Sequence, residues 1–76
     1  MLYKVTVKKT QQFSNGIRLE KGMSVEVVSV IATPSSFLAS SRERENIRTA
    51  FMTKYGVDLQ KVYALNPTWL EAQRIN

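Results

Sequence analysis

A change of hydrophobic period part-way along the sequence constrains the fold more than any other feature. Tyr3, Val5 and Val7 alternate with Lys4, Thr6 and Lys8, the pattern of a strand with one face in water. Further on, Ile47, Ala50, Phe51 and Tyr55 recur at three- and four-residue spacing and make one apolar stripe along a helix. A strand-rich part over residues 1–31 followed by a helical part over residues 40–65 predicts an α+β fold.

The punctuation between these parts sets the expected boundaries. A first strand spans residues 2–9 or slightly more, and Ser14-Asn15-Gly16 then tolerates the positive φ of a tight reversal, so Ile17 and Leu19 resume the alternation in a hairpin. A second turn at Glu20-Lys21-Gly22 leads to a third strand with Met23, Val25 and Val27 inward. Adjacent Val27 and Val28, followed by Val30, break the phase and predict a bulge or a strand buried on both faces. Residues 32–39 read as a connection that carries Phe37 and Leu38. Ser40 and Glu43 have the spacing of a capping box, and Gly56 is a left-handed stop for the main helix. Asp58 caps a short second helix of about residues 59–65.

Within the terminal segment, residues 66–76, the tail 68–76 has two readings. Asn66-Pro67 can start a third helix, or Leu70 and Ala72 can alternate with Trp69, Glu71 and Gln73 in a closing strand. The strand is preferred, because a small sheet with an open edge gains from another partner. The expected architecture is one domain, residues 1–76: a small, mostly antiparallel sheet or partly open barrel of three to four strands, packed by one main helix and one short helix.

Composition narrows the chemistry. None of the 76 residues is cysteine or histidine, so the thiolate nucleophile, the disulfide and the ordinary neutral-pH proton shuttle are absent. The serines have only lysines, glutamates and one aspartate as possible bases, and no Gly-x-Ser-x-Gly elbow is present. Glu43 and Glu45, two apart on a helix, face different ways. These features predict no enzyme, no cofactor, no metal and no small-molecule substrate. The first residues alternate instead of forming a signal-like apolar run, and no stretch approaches the roughly 20 apolar residues of a membrane span. A cytoplasmic protein without a membrane partner is expected.

Eleven Lys and Arg against six Asp and Glu give a net charge of +5. The charge is spread along the sequence, which favours weak attraction to polyanions over committed nucleic-acid binding. Lys4, Lys8, Lys9 and Arg18 are the candidate polyanion contacts, or else an ordinary solvated face that guards a sheet edge. Arg44 and Arg48, one turn apart, either clamp an acidic partner or lie along the core edge, with Glu45 placed to pair with Arg48. Phe37, Leu38 and Trp69 are the candidate partner-binding residues, with Trp69 alternatively closing one end of the core.

The run Tyr3 to Thr10, the run Asn15-Gly16-Ile17-Arg18-Leu19-Glu20-Lys21-Gly22-Met23-Ser24-Val25-Glu26-Val27, and the later Ala50-Phe51, Tyr55 to Leu59 and Leu65-Asn66 resemble a family of short bacterial domains of unknown function. The resemblance implies a free-standing small protein and carries over no catalytic residue. With a core of marginal size and no disulfide or metal to staple it, the protein reads as a non-catalytic protein-interaction module or assembly subunit, stabilised by self-association or a protein partner. The alternative is a weak, non-specific nucleic-acid-binding domain.

Overall fold

The computed structural model describes residues 1–14 and 16–75. In sequence order it forms β1 (Leu2–Val7), β2 (Gln11–Gln12), β3 (Arg18–Leu19), β4 (Ser24–Val28), α1 (Pro34–Ala39), α2 (Ser41–Tyr55), a 3-10 turn (Leu59–Val62) and β5 (Leu70–Arg74). The fold is α+β. Its main sheet is antiparallel in the order β4-β1-β5, with β2 and β3 as a separate pair. The sheet is open, so the barrel alternative is not realised.

The first four strands are the two arms of a single bent hairpin. Leu2 pairs with Val28 and Gln11 with Leu19, so paired residue numbers add to the same value in both ladders. The backbone therefore reverses once, around the expected turn, whose Asn15 lies outside the described residues, as does Asn76. Phe13 N–H donates to the Ile17 carbonyl at 2.8 Å and closes the tip. Glu20-Lys21-Gly22 does not reverse the direction. It is a corner within the second arm, where Met23 N–H donates to the Glu20 carbonyl at 3.1 Å and Gly22 adopts φ 96°. Pairing continues across the corner, because Val7 N–H donates to the Met23 carbonyl at 2.8 Å and Gly22 N–H to the Val7 carbonyl at 3.1 Å. The expected third strand is thus the return arm and pairs directly with β1.

The valine doublet is not a bulge. Register runs without a break from Leu2 opposite Val28 to Thr6 opposite Ser24. Val27 is buried, whereas Val28 is 75% exposed. The terminal segment is a strand as preferred: β5 pairs with β1 from Val7 opposite Leu70 to Tyr3 opposite Arg74.

Both helices cover the face that carries Tyr3, Val5 and Val7, with α2 against β4, α1 against β5, and the two helices in contact. α2 keeps its expected ends: the Ser40 hydroxyl accepts from Glu43 N–H at 3.4 Å, and Gly56 takes φ 69° after Tyr55. Ile47 and Phe51 are fully buried on its inner side. The Tyr55 hydroxyl reaches the outer edge of β4, accepting from Ser24 N–H at 2.9 Å and donating to the Ser24 carbonyl at 3.0 Å. That bond pair occupies backbone groups an edge strand would otherwise leave open.

Two further expectations change. Residues 32–39 are not a bare connection: Thr33 stands at the N-cap position and Pro34 at the first turn of α1, a start signal present in the sequence. The second helix is also shorter than expected. It is a 3-10 turn that ends at Val62, because Tyr63 swings into the left-handed region at φ 55°.

Candidate functional site

Phe37 and Leu38 are buried core residues, Phe37 completely and Leu38 nearly so. Phe37 is fully buried, its ring stacked on Tyr3 with centroids 4.3 Å apart and planes 11° from parallel. The Tyr3 hydroxyl beyond it donates to the Ile31 carbonyl at 2.7 Å, so the stack also fixes the segment that enters α1. Trp69 is half-buried and packs against the core. Its ring lies 5.4 Å from that of Phe13, and Lys9 Nζ sits 4.7 Å above it.

The four basic candidates have different immediate neighbours. Lys9 is held over Trp69, and Lys8 Nζ donates to the Pro67 carbonyl at 3.0 Å. Arg18 pairs with Glu20 at 3.1 Å on the hairpin, while Lys4 stands on the main sheet with Glu26 on one side and Gln73 on the other. Lys8, Lys9 and Arg18 thus each hold a local partner, while Lys4 has only its cross-strand neighbours among the described residues.

The sheet face away from the helices is largely exposed among the described residues. Its rows follow from register: Val28, Leu2 and Ile75 form an apolar row at one end, then Glu26, Lys4 and Gln73, then Ser24, Thr6 and Glu71. Val30 next to the apolar row is 90% exposed. The alternation of each strand was legible in the sequence, but the alignment of three apolar residues across three strands depends on register.

On the helical side, a pocket of about 420 Å³ lies between the start of α2 and the 3-10 turn, lined by Ser41, Arg44, Glu45, Gln60, Tyr63, Leu65 and Asn66. Arg44 Nε donates to the Leu38 carbonyl at 2.8 Å, which pins the guanidinium at the pocket wall. Tyr63 is 84% exposed although its backbone is left-handed. The local cause is a Schellman closure: Tyr63 N–H donates to the Gln60 carbonyl at 3.3 Å and Ala64 N–H to the Leu59 carbonyl at 3.0 Å. Glycine is the usual residue at such a position, so a tyrosine there is a strained choice.

A fork from Arg48 holds the two walls together. Its Nε and Nη2 donate to the Asp58 carboxylate at 2.9 and 3.0 Å, and its Nη1 donates to Glu45 at 2.9 Å. Asp58 also caps the 3-10 turn by accepting from Gln60 N–H at 3.0 Å. The Arg48 hydrogen bonds, opposed by burial and helped by the Gln60 amide, pull the Asp58 carboxyl down to about 2. The same pair keeps Arg48 charged beyond the usual arginine range. A carboxyl with a lowered folded pKa contributes stability that is complete above its ordinary value near 3.8 and disappears as pH falls toward about 2. The expected result is that Asp58→Asn melts below wild type at pH 6, and that thermal melts converge as pH drops through this window. A gap that stays constant would show that the pair does not stabilise the fold.

Glu43 departs from its expected role. It is 6% exposed, and its Oε1 accepts from Asn46 Nδ2 at 3.1 Å. The return half of the capping box does not form, because Ser40 N–H already donates to the Phe37 carbonyl at the end of α1. Glu43 Oε2 is buried without a hydrogen-bond partner among the described residues, and the positive end of α2 is the compensation its position offers.

Among the described residues there is no group of three or more Asp or Glu placed to hold a metal ion, and no helix long and apolar enough to cross a membrane. No curated protein and no solved structure matches the protein. One family model covers residues 1–72, and on that match the protein belongs to DUF6140, a family of unknown function.

Proposed function

We propose that this domain is a non-catalytic protein-interaction module that pairs with a second copy of itself through the uncovered face of its main sheet. The observation that carries this reading is the row of Val28, Leu2 and Ile75 beside Val30, an apolar patch in which Val28, Ile75 and Val30 are exposed and Leu2 is half-buried. The next row favours a second copy over an unrelated partner. Lys4 lies beside Glu26, so a two-fold pairing of this face can set each lysine against the other copy's carboxylate. The short core gives such pairing a thermodynamic role, because burial against a partner stabilises the folded state by mass action.

Sedimentation and thermal melts over a wide concentration range test the reading. A concentration-dependent mass and melting temperature are expected, both suppressed in Val28→Lys combined with Val30→Lys. Both sites are exposed, so the double variant retains its fold by circular dichroism. A wild-type protein that stays monomeric and melts at one temperature throughout the range would overturn the proposal.

A further inference from the structure

The pocket beside Tyr63 is lined by none of the residues of the uncovered sheet face, and it has the makings of a separate recognition site. Arg44 is its uncommitted cation. Its Nε is fixed on the Leu38 carbonyl, and its two terminal nitrogens have no hydrogen-bond or ion-pair partner among the described residues. Arg48 nearby is fully engaged by Asp58 and Glu45. A guanidinium held by one nitrogen and open at the other two is suited to a planar anion, because its fork is already oriented.

The other lining residues define what accompanies the anion. Leu65 supplies an apolar floor and the exposed Tyr63 ring an aromatic wall, while Gln60 has no side-chain hydrogen bond among the described residues and can serve a peptide group. Asn66 is not available for this, since its Nδ2 donates to the Tyr63 carbonyl at 2.7 Å and its Oδ1 accepts from Thr68 N–H at 3.0 Å. Those bonds instead hold the turn that presents the Tyr63 ring. Glu45 also lines the pocket, and its negative charge opposes a doubly charged ligand. One open guanidinium against one committed carboxylate selects a monoanion over a phosphate.

We infer that this pocket binds a peptide carboxylate next to an apolar side group, with Arg44 as the anion contact and Tyr63 and Leu65 as the apolar contacts. The free C-terminus of a peptide and an acidic side group share this chemistry. Left-handed backbone at an exposed aromatic is the kind of strain that a binding role retains.

The test is a titration of isotopically labelled protein followed by nuclear magnetic resonance at Arg44, Tyr63 and Leu65. Four probes are used, with a short RNA as a further competitor: acetyl-Gly-Leu with a free C-terminus, the same peptide as its amide, acetyl-Leu-Glu-amide, and inorganic phosphate. Saturable shifts are expected with at least one carboxylate probe and not with the neutral amide, and the stronger carboxylate probe identifies the source. Arg44→Gln weakens binding by about tenfold or more. Because Arg44 also holds Leu38, a second variant separates binding from folding: Tyr63→Gly weakens the carboxylate probes while its melting temperature is no lower than wild type. The inference is overturned if neither carboxylate probe shifts the pocket, if either variant binds as wild type does, or if phosphate or the RNA competes better than the carboxylates.

Discussion

Phe37→Ala leaves the protein largely unfolded at room temperature. Removing a fully buried phenylalanine costs about 3–5 kcal/mol through lost transfer energy and the cavity left behind. A core of this length supplies about 3–5 kcal/mol in all, so the loss is comparable to the whole stability. The site has little means to collapse, because the ring is stacked on Tyr3, whose hydroxyl is fixed on the Ile31 carbonyl. Phe37→Leu retains most of the volume and is expected to fold with a lowered melting temperature. Circular dichroism and denaturant titration decide the matter. A cooperative Phe37→Ala melt within a few degrees of wild type would mean that α1 does not belong to the cooperative core. A substitution at Phe37 therefore probes folding and not partner binding.

Tyr63→Gly is expected to act in the opposite direction and raise stability. A left-handed non-glycine residue costs about 1 kcal/mol or more, and glycine adopts that conformation without the clash. Some of the gain is offset by the greater freedom of glycine in the unfolded state. Since Tyr63 is 84% exposed, little packing is lost. A net gain of up to about 1 kcal/mol corresponds to a rise in melting temperature of at most roughly 4–8 °C for a domain of this size. A fall in melting temperature would show that the exposed ring makes contacts that outweigh the backbone strain.

Much of the backbone plan was legible locally. The alternation at Tyr3, Val5 and Val7, the cap at Ser40, the stop at Gly56 and the cap at Asp58 all act within a few residues and appear where expected. The start of α1 is equally local, because Thr33-Pro34 is an N-cap followed by a first-turn proline. It is masked in the sequence by the surrounding Thr-Pro-Ser-Ser composition, which also describes a loop. The Arg48–Glu45 pair follows from helical spacing alone, whereas Asp58 enters the same fork from ten residues away.

The candidate surfaces were far less legible. Phe37 and Leu38 stand out in the sequence as unexplained apolar residues, and their burial follows from how α1 lies against β5 and α2. The apolar row on the open sheet requires Leu2 to sit opposite both Val28 and Ile75. The pocket requires Arg44 and Tyr63, remote in sequence, to line one cavity.

What the amino-acid sequence determined by itself was the start of β1, the ends of α2 and the cap at Asp58, the apolar faces of β1 and α2, and the absence of histidine and cysteine chemistry. Those properties arise from side-chain period, steric preference and composition, which act within a turn or along a strand. Tertiary structure alone decided that four strands make one bent hairpin, that β5 joins β1, and which apolar residues remain outside. Those outcomes depend on register and on layer contacts between distant segments, where a shift of one residue would exchange the buried face for the exposed one.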